Sequence, residues 1–340
     1  MFRSRVVRAA LGGLLAVALA AGCSAGGEGD GKNGQGSTDV AAGGKDFGDA
    51  RKATAALGTD AAPGRFPRTI KQAMGATTIK SRPKRVIVLD VGELDNVVAL
   101  GIRPVGVAYS EGSQKMPAYL AKQAGKPESV GTINQLNLEK IASLRPDLIL
   151  GSKLRAAQLY TKLAAIAPTV FSIRPGFTWK ENFRLNAAAL DRTKQANTEI
   201  SAYEDRARKL GARLGKKRPT ISMVRFLPDR IRLYANQSFI GTILDDAGLP
   251  RPASEDVDDL AVEVSPEQIG KADADYVFYG TYGPSDKTDA GPVTSGKLWK
   301  QLGAVKKGRS ARVSDETWYL GLGVSAANAV LDDLGRLVTT

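Results

Sequence analysis

Short apolar runs alternate with longer amphipathic stretches along most of this chain, beginning near residue 85. In the first half, the runs that predict buried strands are residues 85–89, 104–108, 147–150 and 168–173. The stretches that predict helices are residues 94–100, a helix opened by Asn137 as its N-cap, and residues 154–166 and 179–190. Because strands are followed by helices, the pattern predicts a mainly parallel sheet covered on both faces.

One long helix is predicted over residues 193–217. Its apolar positions are four and three residues apart and therefore share one face: Ala196, Ile200, Tyr203, Ala207, Leu210 and Leu214. Pro219 ends the helix, and the preceding lysines suit its C-terminal dipole. At 1.5 Å per residue it reaches about 36 Å, which is enough to connect two lobes.

The strand and helix pattern resumes in the second half. It predicts strands at residues 220–226, 231–234 and 275–279, and helices at residues 239–247, 298–302 and 323–338. The two halves have similar orders of strands and helices. The globular part of the chain, about 270 residues, is longer than one hydrophobic core usually supports. The predicted fold is therefore α/β, with two Rossmann-like lobes, each on a mainly parallel central sheet, joined by one long interlobe α-helix.

The N-terminal residues predict export and a lipid anchor. Three arginines precede the apolar run 9–21, which is too short to span a bilayer comfortably. Residues 19–23, Leu-Ala-Ala-Gly-Cys, resemble the lipobox of bacterial lipoproteins, although Ala20 stands where Leu is usual. That resemblance implies cleavage before Cys23 and its diacylation, and two acyl chains suffice for stable anchoring on the extracytoplasmic face of the cell membrane. The alternative is an ordinary signal peptide with an incidental cysteine, which is disfavoured because the chain has no second cysteine.

A flexible tether is predicted after Cys23, because residues 24–38 are nearly all Gly, Ser, Asn and charged residues, and the bias continues more weakly to about Pro67. The predicted organisation is a signal peptide at 1–22, a lipid-anchored tether at 23–67, an N-terminal lobe at 68–192, a connecting helix at 193–217 and a C-terminal lobe at 218–340.

Composition excludes several kinds of chemistry. The chain contains no histidine, and its one cysteine is the predicted lipidation site, so the usual nitrogen and sulfur ligands for zinc, copper or iron are missing. Catalysis of the Ser-His-Asp and Cys-His kinds is excluded as well. The formal net charge is +13, but no dense Lys/Arg cluster with interleaved aromatics appears, so nucleic acid is not expected as a partner.

The order and spacing of several segments resemble the class III substrate-binding proteins, which serve importers of siderophores, haem and vitamin B12. The segments that carry the resemblance are residues 85–89, 99–107, 130–131, 137–141, 144–149, 238–239, 243–249 and 274–278. Residues 224–226, 234–236 and 318–321 look more like the ferric-siderophore branch. The resemblance implies a monomeric receptor without catalytic activity, whose lobes close only modestly because one stiff helix joins them. It also implies that Glu139 and Asp245, one on each lobe, dock into arginines of an ABC transporter permease.

An iron(III)–siderophore complex suits a protein without histidine, because siderophore oxygens already fill the coordination sphere of the iron. The receptor needs no cofactor and no metal ligand of its own, only apolar and aromatic walls and donors aimed at the ligand oxygens. A ferric hydroxamate of the ferrioxamine kind is predicted, from a composition that resembles actinobacterial proteins. The alternatives are a haem or cobalamin receptor of the same fold, and an exported hydrolase that uses carboxylates alone. The acid-rich residues 255–259 have no partner motif and predict a solvated loop instead.

Ligand-binding residues are expected beyond the carboxyl ends of the strands, where parallel α/β lobes bind their ligands. The predicted set is Tyr109, Arg225, Tyr234, Asn236, Phe239, Tyr279, Tyr282, Trp318 and Tyr319. Gly131, Asn134 and Arg155 are weaker candidates, and Trp179 is expected to pack the hinge. Arg232 alternates with Leu233 and is therefore predicted to face solvent.

Overall fold

A computed structural model describes residues 49–111 and 113–338. The predicted signal peptide, Cys23 and residues 23–48 of the predicted tether lie outside the described residues. Within the part of the chain that is described, no helix is both long and apolar enough to cross a bilayer.

Residues 49–67, predicted as tether, include a helix (Ala50–Ala55) that packs on the protein. Ala50 and Thr54 share one face of this helix and are buried, and Arg51 donates a hydrogen bond from Nη2 to the carbonyl oxygen of Phe177 at 3.1 Å. The tether boundary at residue 67 is therefore wrong. The sequence did not predict this helix because its composition is mostly polar or small, and only Ala50 and Thr54 of its six residues are buried.

The elements follow the predicted alternation. The strands are β1 (Arg68–Gln72), β2 (Gly75–Ile79), β3 (Val86–Val88), β4 (Gly106–Tyr109), β5 (Glu128–Thr132), β6 (Leu148–Ser152), β7 (Thr169–Ser172), β8 (Ile221–Leu227), β9 (Arg230–Tyr234), β10 (Ala261–Val264), β11 (Tyr276–Thr281) and β12 (Ser310–Arg312). The helices are α1 (Ala50–Ala55), α2 (Val91–Ala99), α3 (Ala121–Ala124), α4 (Leu138–Ser143), α5 (Lys153–Ala156), α6 (Tyr160–Ile166), α7 (Trp179–Ala189), α8 (Thr193–Arg213), α9 (Phe239–Asp246), α10 (Ala290–Ser295), α11 (Lys297–Gln301), α12 (Gly303–Lys306), α13 (Asp315–Trp318) and α14 (Val324–Leu337). Short 3₁₀ helices cover Ala157–Leu159, Pro266–Ala272 and Ser285–Lys287.

Two five-stranded sheets form the centres of two lobes. The N-terminal sheet has the order β5-β4-β3-β6-β7, and all its pairs are parallel. The C-terminal sheet has the order β10-β9-β8-β11-β12, in which β8, β11 and β12 are parallel while β9 pairs antiparallel with both β8 and β10. The predicted two-lobed α/β fold is confirmed. The antiparallel hairpin of β1 and β2 was not predicted.

The central strands of both sheets are buried on both faces. Val86 and Val88 pack into the core that the two lobes share, whereas Ile87 between them packs into a core confined to the N-terminal lobe. In the C-terminal lobe, Met223 and Val224 divide in the same way. Successive side chains of a strand point to opposite faces, so an unbroken apolar run fills both sides of a covered sheet.

Helix α8 runs from Thr193 to Arg213 between the two sheets in chain order. Its buried residues are Ala196, Ile200, Tyr203, Ala207, Leu210 and Gly211, which includes five of the six predicted stripe positions. The helix ends four residues earlier than predicted. Gly215 has φ of 79°, a left-handed conformation that stops the helix before the lysines.

Trp179 packs at the junction of the lobes, as predicted. Its indole Nε1 donates a hydrogen bond to Thr242 Oγ1 of α9 at 2.9 Å. Its ring meets Tyr203 of α8 edge to face, with centroids 5.0 Å apart, and Phe239 at 6.0 Å. One side chain thus connects an N-terminal helix, the connecting helix and a C-terminal helix.

A buried carboxylate makes a second connection between the halves of the chain. Asp95 of α2 accepts hydrogen bonds from the backbone N–H groups of Ser325 and Ala326, both at 2.9 Å. These N–H groups lie in the first turn of α14, where a helix has no internal acceptors for them and where its dipole favours negative charge. The C-terminal helix is therefore tied to the N-terminal lobe.

Candidate functional site

A cleft of about 990 Å³, its open mouth included, lies between residues of both lobes. The N-terminal lobe contributes Asn134, Arg155, Arg174, Pro175 and Gly176. The C-terminal lobe contributes Arg225, Leu227, Arg232, Tyr234, Gln237, Phe239, Ile240, Leu260, Tyr282, Trp318, Tyr319, Leu320 and Leu322. The described lining thus combines aliphatic and aromatic side chains with four arginines.

Strand ends position the N-terminal part of the lining. Asn134 follows β5, Arg155 lies in α5 directly after β6, and Arg174 follows β7. These strands are parallel, so their carboxyl ends reach the same edge of the sheet. In the C-terminal lobe, Arg225 lies near the carboxyl end of β8 and Tyr282 follows β11, its parallel neighbour.

Arg225 is held in the cleft by several polar and aromatic contacts. Its Nε and Nη2 donate to the two carboxylate oxygens of Asp315 at 2.7 and 2.6 Å, and its Nη1 donates to the hydroxyl of Tyr234 at 3.0 Å. The guanidinium carbon lies 4.8 Å from the ring centroid of Tyr282 and 5.3 Å from that of Tyr319. Burial by itself lowers the pKa of Arg225, but Tyr234 and Asp315 outweigh it and hold this pKa above its ordinary value. The guanidinium is therefore a permanent, oriented cation.

The aromatic side chains of the cleft are held by their own contacts. Tyr319 donates from its hydroxyl to the carbonyl oxygen of Val224 at 2.8 Å, and its ring meets that of Tyr234 at 4.9 Å. Trp318 is fully buried and donates from Nε1 to Asp333 Oδ2 at 2.8 Å. These rings form a rigid floor, because each has a fixed partner outside the cleft.

Six predicted site residues line the cleft together: Arg225, Tyr234, Phe239, Tyr282, Trp318 and Tyr319. Two of the weaker candidates, Asn134 and Arg155, line it as well, whereas Gly131 does not.

Three predicted site residues lie elsewhere. Tyr109 ends β4 with its ring in the core shared by the lobes, because strand alternation turns it inward. Tyr279 packs its ring on Phe226 and Trp299, in the core on the other side of the C-terminal sheet. Asn236 donates from Nδ2 to Asp256 at 3.1 Å and orders the following acidic loop, while the next residue, Gln237, reaches the cleft.

Arg232 was predicted to face solvent, and that prediction is wrong. The residue is 4% exposed, lines the cleft and lies directly opposite Arg225 in the register of β8 and β9. Its Nε and Nη2 donate to one oxygen of Glu263, at 3.1 and 2.9 Å. Strand alternation places Arg232 and Leu233 on opposite faces of β9, and both faces are covered at this position.

Arg174 and Gln237 are further lining residues that the sequence analysis did not single out. Arg174 follows the predicted strand at residues 168–173, so the strand-end rule applied to this strand would have found it. Gln237 follows a strand in the same way.

The predicted solvated loop at 255–259 begins with a buried acid. Glu255 accepts hydrogen bonds from the hydroxyl of Ser222 and from the backbone N–H of Met223. Burial raises its pKa to about 8, against an opposing effect of these two hydrogen bonds. Glu255 therefore fastens the loop to β8, and it is absent from the cleft lining. The described residues contain no group of three or more Cys, Asp or Glu side chains that could hold a metal ion.

The sequence profile of the family described as "Periplasmic binding protein" matches residues 86–316. The chain belongs to the periplasmic binding protein family. Together with the relatives described next, this match confirms the resemblance to class III substrate-binding proteins of iron–siderophore ABC transporters, which are binding proteins and not enzymes.

Curated and solved members of the periplasmic binding protein family are similar over most of their length. The probable siderophore-binding lipoprotein YfiY of Bacillus subtilis is 38% identical over 280 residues, which cover 78% of this chain and 86% of the relative. The achromobactin-binding periplasmic protein of Dickeya dadantii is 32% identical over 264 residues, which cover 75% and 86%. The crystal structure of Staphylococcus aureus SirA complexed with staphyloferrin B superposes with a TM-score of 0.70 at 32% identity, over 79% of this chain and 97% of that chain.

The two acids predicted to meet a permease in this periplasmic binding protein are both exposed. Glu139 lies in the first turn of α4, whose N-cap Asn137 accepts a hydrogen bond from the backbone N–H of Lys140 at 2.8 Å. Asp245 lies near the end of α9, which Ser238 caps through the N–H of Gly241 at 2.9 Å. Each acid is therefore presented from a capped helix, one on each lobe, and the docking role stays a prediction.

Proposed function

We propose that this periplasmic binding protein captures an iron(III)–siderophore complex in the interlobe cleft and delivers it to an ABC importer. The observation that carries the proposal is the cleft itself, in which both lobes present arginines beside a fixed aromatic floor. The names of YfiY, of the achromobactin-binding protein and of the SirA complex support a siderophore as the ligand.

The side chains of the cleft suit a metal that is already chelated. The chain contains no histidine, so imidazole ligands for bare iron are absent. A ferric siderophore presents ligand oxygens with partial negative charge and an apolar or aromatic periphery. Guanidinium groups donate to such oxygens, and tyrosine rings such as that of Tyr282 cover the periphery. The iron is therefore cargo within its ligand, and no resident cofactor takes part.

Membrane attachment and permease docking complete the proposed function. Cys23 is proposed to carry the lipid anchor, which agrees with the lipoprotein name of the relative YfiY. Glu139 and Asp245 are proposed to bind arginines of the permease, so that an acid on each lobe reads both charge and lobe spacing. The receptor is proposed to act as a monomer.

Tryptophan fluorescence tests the proposal, because Trp318 lines the cleft while Trp299 packs in the outer core of the C-terminal lobe. The protein is titrated with four iron(III) complexes, those of staphyloferrin B, citrate, enterobactin and the hydroxamate ferrioxamine B, and with haem and cobalamin. We expect at least one ferric siderophore to quench the fluorescence with submicromolar affinity, about 8 kcal/mol or more of binding free energy.

Two variants locate the quenched residue. Trp318→Phe should remove a large share of the quenching, while Trp299→Phe should leave the fractional quenching at least as large. Binding of none of the iron complexes would refute the proposed function. Tighter binding of haem or cobalamin would replace it with the alternative receptor, and turnover of an added ester or glycoside would point to an enzyme.

A further inference from the structure

The cleft has an excess of positive charge among its lining residues. Arg155 and Arg174 come from the N-terminal lobe, and Arg225 and Arg232 from the C-terminal lobe. None of the described lining residues is an aspartate or a glutamate. Carboxylates behind the lining pair with three of these arginines: Asp90 with Arg155, Asp315 with Arg225 and Glu263 with Arg232. Because no acid is among the described lining residues, guanidinium groups set the sign of the charge that a ligand meets in the cleft.

The C-terminal pair shows the excess most clearly. Arg225 and Arg232 are directly opposite each other on neighbouring antiparallel strands, an arrangement in which like charges repel. Asp315 takes two N–H groups of Arg225 in a fork. Arg232 pairs with a single oxygen of Glu263. The Glu263 carboxylate is half exposed, and the same oxygen also accepts a hydrogen bond from Arg230 at 3.2 Å. Glu263 is therefore shared with Arg230, which also pairs with Asp229, and it is a screened partner for Arg232.

The N-terminal arginines approach the same space from the other lobe. Arg155 uses its Nε for Asp90 at 2.9 Å, and this salt bridge leaves its two terminal nitrogens for other acceptors. The guanidinium carbon of Arg174 lies 5.1 Å from the ring centroid of Phe177, which fixes the plane of the group. Planar guanidinium groups thus line the cleft from both lobes. Arg155 keeps its terminal nitrogens, and Arg232 its Nη1, for acceptors on a ligand.

We infer, on the basis of the proposed function, that the ligand is an iron(III) complex of net negative charge whose surface carries carboxylate groups. Three hydroxamates neutralise iron(III), so a tris-hydroxamate complex is neutral, or positive when it keeps a free amine. It offers no carboxylate for a guanidinium fork. A polycarboxylate siderophore binds iron through carboxylate and hydroxyl oxygens and retains negative charge and carboxylate oxygens at its surface, which arginine recognises in pairs of parallel hydrogen bonds.

This inference departs from the predicted ferrioxamine-like ligand. That prediction depended on composition alone, whereas the arginines were brought together by folding. A tris-catecholate complex is also anionic, but its charge lies on oxygens already bound to iron, so it gives a guanidinium fork fewer accessible acceptors. Catecholate and hydroxamate complexes are therefore the two competing arms of the test.

The titration of the four iron complexes separates the classes. We expect ferric staphyloferrin B or ferric citrate to bind at least about tenfold more tightly than ferrioxamine B and ferric enterobactin, and to lose affinity as the salt concentration rises. Tighter binding of ferrioxamine B or of ferric enterobactin would overturn the inference and leave the receptor function intact. Binding of no complex would instead refute the receptor function.

Two arginines on one strand provide a matched pair of variants. Arg230 and Arg232 both donate to Glu263 Oε1, but only Arg232 lines the cleft. Arg232→Gln should weaken binding of the preferred polycarboxylate complex by about tenfold to a hundredfold, the effect of a lost charge-assisted contact, and Arg230→Gln by less than about threefold. Arg232→Lys keeps the charge but cannot make paired hydrogen bonds, so its loss of affinity should lie between those of the two glutamine variants.

Thermal unfolding checks that both glutamine variants are folded. Equal losses of affinity in Arg230→Gln and Arg232→Gln would show that only long-range charge matters and would overturn the contact assigned to Arg232. An unchanged affinity in Arg232→Gln would overturn it as well.

Discussion

Three carboxyl groups are buried where a charge is unfavourable. Burial raises the pKa of Glu93 and of Glu255 to about 8 each, and that of Asp95 to about 6. For Glu93 the neighbouring Asp90 adds to the effect. For Asp95 the N–H groups of α14 oppose it without cancelling it. Each group therefore holds a proton in the folded protein at a pH at which the unfolded chain has released it.

The pH dependence of stability follows from this difference in proton binding. Between the ordinary pKa of Glu255, 4.5, and its folded value of about 8, the native state binds more protons than the unfolded state. The free energy of unfolding therefore decreases as the pH rises through this window, by up to about 1.4 kcal/mol for each pH unit and group. Glu255→Gln keeps a neutral acceptor for Ser222 and Met223, so we expect a flatter profile between pH 5 and about 8.

Urea unfolding at several pH values measures this effect. Glu139→Gln, at an exposed position, is the matched control and should keep the wild-type slope. A Glu255→Gln profile as steep as that of the wild type would contradict the assigned protonation of Glu255.

Helices α8 and α9 meet through their backbones. A Cβ atom added to Gly211 of α8 would lie 2.0 Å from the carbonyl oxygen of Ala247, at the end of α9. No real Cβ atom approaches an oxygen so closely, so the two helices touch only because residue 211 lacks a side chain. This contact sets the separation of the connecting helix from the C-terminal lobe.

Gly211→Ala is expected to destabilise the protein. In a helix interior, alanine is usually more favourable than glycine by about 1 kcal/mol, so the isolated helix would gain stability. The clash with Ala247 should reverse the sign and give a net loss of about 1–3 kcal/mol. Chemical denaturation measures the change.

Gly335→Ala in α14 is the control, because the atom nearest to its added Cβ is the end of the flexible Arg213 side chain, at 3.3 Å. It should be neutral or slightly stabilising. A stabilised Gly211→Ala variant would mean that α8 and α9 are not in backbone contact.

At the scale of the whole molecule, one core runs through both lobes. It includes Val86 of the N-terminal sheet, Tyr203 of α8, Ile243 of α9 and Leu334 of α14. A hinge filled with packed side chains resists bending more than a pair of flexible strands would. The separation of the exposed acids on the two lobes is therefore held by the fold, which is the property that a docking permease could read.

Charge reversal of the two acids proposed to bind the permease tests this idea. The double variant with Glu139→Lys and Asp245→Lys should abolish siderophore-dependent iron uptake by cells, because like charges would face the permease. Its affinity for the ferric complex should stay within about threefold of the wild type, since neither acid lines the cleft and both are screened by solvent. Uptake of radioactive iron and fluorescence titration give the two readouts.

Asp60→Lys combined with Asp286→Lys places the same charge change on other exposed acids and should leave uptake intact. Equal loss of uptake in both double variants would show that net charge alone matters. Loss of ligand affinity in the Glu139 and Asp245 variant would contradict the proposed docking role of these two acids.

The sequence by itself determined the elements and the kind of fold. The period of the apolar positions distinguished strands from helices, and the stripe on α8, from Ala196 to Leu210, was located correctly. Strand ends pointed to Arg225 and Tyr282, because parallel strands deliver their carboxyl ends to one edge of a sheet. The absence of histidine, a property of composition alone, limited the metal and catalytic chemistry open to the chain.

Only the tertiary structure decided which side chains face the cleft. Alternation says that Arg232 and Leu233 point to opposite faces of a strand, but not that both faces are covered, nor that one of them borders a cavity. For the same reason the prediction for Tyr109 was wrong. An aromatic ring at a strand end suits a core and a ligand wall equally well, and the ring of Tyr109 packs in the core. The excess of positive charge in the cleft likewise arises from arginines far apart in the chain, since it depends on distances that only packing of the two lobes creates.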